Sequence, residues 1–149
     1  MHTSYGFTDT EWQTLLFVPL WTFVACAGAD RNIDEKEQAA FAKELGEAAL
    51  YKNVLAREVL GTLASSLSTV MPAFQADSRN FLTGLSNAAD VLDQKVPTND
   101  ANDFKKAVLG VGIQVCQASG GGFMGKGDKI SDEEKKYWAM CAAAIRATI

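Results

Sequence analysis

The sequence predicts an all-α protein: one helical domain of six or seven helices spanning residues 1–149. Three observations carry this. Apolar residues recur at helical intervals along most of the chain, while strand-like alternation is scarce. Pairs with capping-box spacing stand where helices would start. The strongest break, "KVPTNDAND" around Pro97, is too short to be a linker between domains.

The first helix is placed by Thr8 and Glu11 in "FTDTEW", spaced so that a cap hydroxyl and a carboxylate satisfy each other's backbone donors. It is expected to begin near Asp9 and to run, kinked at Pro19, to about Ala27. Asp34 and Glu37 repeat the spacing and open a second helix, "EKEQAAFAKELGEAAL". Val54, Leu55, Val59, Leu60 and Leu63 form one face of a third, over residues 53–68. Phe81, Leu85, Ala88 and Leu92 mark a fourth. After Pro97, a fifth is set by Phe104, Val108, Val111 and Val115 and ends near Ala118. Ser131 and Glu134 cap a last helix through "EEKKYWAMCAAAIRA".

Two parts of this layout match. A helix ending in "VACAGAD" leads through "RNID" into a capped helix, and one ending in "IQVCQASGGG" leads through "GDKISD" into another. Cys26 pairs with Cys116, Asp30 with Asp128, Ile33 with Ile130, and Glu37 with Glu134. A pseudo-two-fold duplication of a helix–loop–helix unit explains this, each half burying its apolar face on the other.

Composition narrows the function. Of 149 residues, 48% are hydrophobic and 21% charged, the balance of a soluble domain with a core of its own. With 14 Lys+Arg against 18 Asp+Glu, the net charge of -4 argues against general nucleic-acid binding. The run "QTLLFVPLWTFVACAGA" is short of the about 20 residues a spanning helix needs, and Pro19 interrupts it. No Lys or Arg precedes Arg31, so it does not read as a signal peptide either. A buried helix in a cytoplasmic protein is expected. Cys26, Cys116 and Cys141 form no CxxC pair, which favours buried, reduced thiols over zinc ligands.

The glycine-rich stretch "GGGFMGKG" approaches two phosphate-binding patterns. Gly120, Gly125 and Lys126 fit a P-loop, but Gly127 replaces its Ser or Thr; Gly120, Gly122 and Gly125 fit GxGxxG. Both patterns need a strand before the loop, and a helix precedes this one. A helix C-cap followed by an extended loop is the better reading.

The acidic loops point to a cation. Asp30, Asn32 and Asp34 occupy the first three ligand positions of an EF-hand, but Glu35 replaces its glycine and Phe41 its bidentate glutamate. No EF-hand forms. The stretches "DRNIDEKE" and "DKISDEE" nevertheless gather the oxygen ligands that Ca²⁺ or Mg²⁺ prefer. Capping and the helix dipole account for Asp34, Glu37, Ser131 and Glu134 without a metal. They do not account for Asp30 and Asp128, so both readings stay open on the residues alone.

These two loops, with "AVLGVGIQVCQASGG", resemble the TerB-like (tellurite-resistance) family over most of the chain. The resemblance implies a divalent-metal site, carried onto Asp30, Asp34 and Glu37 in the first loop and Asp128 and Glu134 in the second. It also implies a non-catalytic role in tellurite and stress resistance, through protein partners near the inner membrane. Arg31 and Lys129 stand where the family has glycine, placing two positive charges beside the implied site.

Enzyme chemistry has little to work with. His2 is the only histidine, so no Cys–His pair and no Glu-x-x-His iron motif exists. A hydrolase using Asp30 and Glu37 is the alternative in that class, and a purely structural interaction domain is the other. Trp12, Trp21 and Trp138 are expected in the core.

Overall fold

Helix α1 (Asp9–Ala27) starts at the capping box read from the sequence. The Thr8 amide donates to Glu11 Oε1 at 2.9 Å, and the Glu11 amide donates to Thr8 Oγ1 at 3.2 Å. The computed structural model describes residues 5–27, 35–46, 52–118 and 132–147. Its further helices are α2 (Glu35–Leu45), α3 (Val54–Ala76), α4 (Phe81–Lys95), α5 (Thr98–Ala118) and α6 (Asp132–Ile145). Among the described residues there is no β-strand, as expected.

The long uncharged run is the centre of the core. Leu15, Phe17, Val18, Leu20, Trp21 and Phe23 have no exposed surface, and α1 is contacted by α3, α4, α5 and α6. A helix apolar on every side must be covered on every side. Among the described residues no helix is long and apolar enough to cross a membrane. Trp12 and Trp21 are buried as expected, and Trp138 is partly buried against the same core.

Helix α1 continues through Pro19 without a break. Non-helical backbone lies within α3, at Ser66 (φ -126°, ψ 19°). In a regular helix the Pro72 ring would crowd the Ser68 carbonyl, and the deviation falls just before that turn. α3 also runs past the expected end at Ser68, because Val70, Met71 and Phe74 remain buried. Phe74 packs edge-on against Phe17 and Trp21, with ring centroids 5.3 and 6.2 Å apart. The second helix is described from Glu35 to Leu45; residues 47–50 of its expected course lie outside the described residues.

Local chemistry sets the other starts. Asn53 caps α3 by accepting from the Ala56 amide at 2.8 Å, and Asn80 caps α4 by accepting from the Thr83 amide at 2.8 Å. Pro97 separates α4 from α5, its carbonyl accepting the Ala101 amide at 2.8 Å.

Helices α1 and α5 run side by side in the same direction. Near their starts Tyr5 Oη donates to Asp100 Oδ2 at 3.4 Å; further along, Gly112 faces Thr22 and Phe23. A Cβ on Gly112 would stand 2.6 Å from Thr22 Cβ, so only glycine permits this approach. α4 runs the opposite way along α1: Gly84 abuts Trp21, while Lys95 Nζ at its far end reaches Glu11 Oε1 at 2.5 Å. α2 lies on α5 and α3, and α6 lies on α1, α4 and α5. The crossing of α2 onto α5 and α6 onto α1 is the exchange a duplicated helix pair would make. The contacts are unequal: α6 packs along α5, whereas α1 meets α2 through the edge-on pair Phe23–Phe41, ring centroids 5.2 Å apart. This packing alone does not establish a duplication. The side chains of Cys26 and Cys116, expected at the α1–α5 contact, lie outside the described residues; Cys141 is buried.

Candidate metal-binding end of the bundle

Because α1 and α5 run in parallel, their last residues, Ala27 and Ala118, lie at one end of the bundle. In sequence, Asp30 comes three residues after Ala27, and Asp128 ten residues after Ala118, beyond the glycine run. Glu37 and Glu134 are each the third residue of the next helix, α2 and α6, so the backbone places the two in equivalent register. Their side chains lie outside the described residues, as do Asp30, Asp34 and Asp128, the Ser131 cap, and the glycine stretch from Gly120 to Gly127. Among the described residues, no three His, Cys, Asp or Glu side chains group closely enough to hold a metal.

Away from that end, three polar arrangements escaped the sequence reading. On the α1–α4 face, Arg79 donates to both oxygens of Asp77 (2.8 to 3.3 Å), to Thr14 Oγ1 at 3.2 Å and to Asn87 Oδ1 at 3.2 Å. Its guanidinium lies 5.0 Å from the centre of the Trp21 ring. Four of its five N–H donors are engaged, so the cluster ties the α3–α4 connection to α1 and α4. Trp21 Nε1 beneath it is buried with no hydrogen-bond acceptor.

At the starts of α3 and α5, Tyr5, Lys52, Asn53, Val54, Asp100 and Asp103 line a pocket of about 210 Å³. Asn53 Nδ2 donates to the Asp100 carbonyl at 3.1 Å. Partial burial first, and then the Asp100 carboxylate, hold the Tyr5 phenol above its ordinary pKa. The phenol is therefore a neutral donor at physiological pH and not a base.

Between α4 and α6 lies an open groove of about 650 Å³, lined by Leu82, Ser86, Met140, Ala143, Ala144 and Arg146. Arg146 ends α6 with φ 60°, and the Ala147 amide closes the helix on the Ala142 carbonyl at 2.9 Å. Its guanidinium bonds Asp90, lies 3.3 Å from Asp93 Oδ2, and donates to the Ser86 carbonyl at 3.4 Å. Comparison with protein-family models, with curated proteins and with solved structures finds no match.

Proposed function

We propose that the chain is a non-catalytic module that binds a divalent cation, Ca²⁺ or Mg²⁺, through Asp30, Asp34, Glu37, Asp128 and Glu134. The supporting observation is the parallel course of α1 and α5, which brings Ala27 and Ala118, the helix ends that precede the two acidic stretches in sequence, to one end of the bundle. Two half-sets of hard oxygen ligands from one end can complete a coordination sphere that neither stretch fills alone. The equal register of Glu37 and Glu134 fits this reading. The cation would tie the start of α2 to the start of α6, and the joined surface would be presented to a protein partner. The resemblance to TerB-like proteins, which rests on these residues, gives the setting: a cytoplasmic response to tellurite or related stress, with partners at the inner membrane surface.

Calorimetric titration of the chelator-treated protein with Ca²⁺, Mg²⁺, Mn²⁺ and Zn²⁺ tests the reading. A saturable heat at one-to-one stoichiometry with Ca²⁺ or Mg²⁺ is expected. Absence of heat with all four ions, together with an unchanged melting temperature, would leave the carboxylates as helix caps.

A further inference from the structure

We infer that Arg146 is an ionic latch that holds the last turn of α6 onto α4 and α5 and opens when its charges are screened. The latch is independent of whether the acidic loops hold a cation.

Three features define it. Arg146 is the only non-glycine residue with positive φ among those described (φ 60°), a conformation that crowds Cβ against the backbone. Glycine is the usual occupant of this position after a helix. An arginine there is kept by what its side chain and carbonyl do elsewhere.

The side chain spans two carboxylates of α4, Asp90 and Asp93, and the Ser86 carbonyl. The Arg146 carbonyl in turn accepts from Lys105 Nζ of α5 at 3.2 Å. That ammonium is buried, and its other partner is Asp93 Oδ1 at 3.6 Å. One residue thus joins three helices, and its release would strip the buried Lys105 of an acceptor.

The outer layer can be reached by solvent ions. The Arg146 and Asp93 side chains are 48% exposed and Asp90 is 58% exposed. Exposed ion pairs of this kind contribute little and fade with salt. Screening them therefore loosens the closed end of α6. An anionic group of a partner entering the adjacent groove would compete for the same guanidinium.

Hydrogen exchange of the α6 amides, at about 0.01 M and about 1 M NaCl, reads the latch directly, because the screening length falls from about 30 Å to about 3 Å over that range. In the wild type, exchange in the last turn of α6 should quicken about two- to five-fold at high salt, the size of an exposed pair's contribution. Exchange in α3 around Val59–Leu63 should stay unchanged. Arg146→Gly, which relieves the backbone while removing the grip, should exchange quickly at both salt concentrations. Arg146→Lys, with one point charge for two carboxylates, should fall between. A wild-type α6 indifferent to salt, an Arg146→Gly variant as protected as wild type, or an equal salt effect in α3 would each overturn the latch.

Discussion

Gly112 of α5 stands so close to Thr22 of α1 that a methyl group in place of its hydrogen would lie 2.6 Å from both Thr22 Cβ and Cγ2. It would also lie 3.1 Å from the Phe23 backbone nitrogen. None of these atoms is the loose end of a flexible side chain, so relief requires the helices to part. That contact fixes how closely α1 and α5 approach along their parallel course.

Gly112→Ala should therefore destabilise the fold by about 1–3 kcal/mol, the usual cost of overpacking a close contact. Thr22→Ala should rescue it only in part, since the Thr22 Cβ remains. Gly110 and Gly61 provide the contrast: a Cβ at either meets nothing within 4 Å. Both are inside helices, so Gly110→Ala and Gly61→Ala should stabilise by about 0.5–1 kcal/mol. Urea unfolding of these variants and of wild type separates close approach from helix propensity.

The two asparagine caps should differ. Asn80→Ala removes one bond, to the Thr83 amide, and should cost about 1 kcal/mol. Asn53→Ala removes the equivalent bond to Ala56 and also the bond to the Asp100 carbonyl that ties α3 to α5. Its loss should exceed that of Asn80→Ala by about 0.5–1.5 kcal/mol, the worth of one more hydrogen bond. Equal losses in thermal melts would mean that the Asn53–Asp100 tie contributes nothing.

Glu11 gives a pH-dependent prediction. Its hydrogen bond from Lys95, and then the bond from the Thr8 amide, lower its pKa in the folded state. A depressed carboxylate contributes stability that is present above the unfolded pKa and is lost as pH falls through the folded one. Wild type should thus exceed Glu11→Gln in stability at pH 7. The difference should shrink as pH falls below the ordinary glutamate range, near about 4.3. Stability curves from pH 7 to pH 2 that stay parallel would remove the ionic role of Glu11 and leave only its capping geometry.

The sequence was legible where structure is set locally. The bounds of α1, the start of α4 and the end of α5 follow from caps, a proline and apolar spacing within a few residues of each boundary. The length of α3 was not, because the apolar face read from Val54 to Leu63 gives no sign of the turns beyond Ser68. Packing of Phe74 on Phe17 and Trp21, far away in sequence, carries the helix on. Arg146 was illegible for the same reason: its partner Asp90 is 56 positions distant, and nothing near Arg146 marks a left-handed residue. Of the candidate site, the backbone register of Glu37 and Glu134 and the shared end of α1 and α5 are visible. The aspartates that distinguish a metal site from helix caps lie outside the described residues.

Those aspartates carry the sharpest prediction. Asp30 and Asp128 lie outside the capping boxes, so Asp30→Ala and Asp128→Ala should leave the chelated protein about as stable as wild type. Asp34→Ala should cost about 1 kcal/mol even in chelator, the usual loss of an N-cap. Added cation stabilises a protein that binds it only when folded, by RT ln(1 + [L]/Kd), about 2.7 kcal/mol at a hundredfold excess over Kd. Wild type should gain that stabilisation with millimolar Ca²⁺ or Mg²⁺, and the Asp30 and Asp128 variants should lose most of it. Arg31→Gly and Lys129→Gly remove the positive charges beside the carboxylates, so each should tighten cation binding. Thermal melts of all six proteins, with chelator and with cation, make the comparison. A wild type with no cation-dependent shift, and glycine variants equally silent, would reduce both acidic stretches to helix caps.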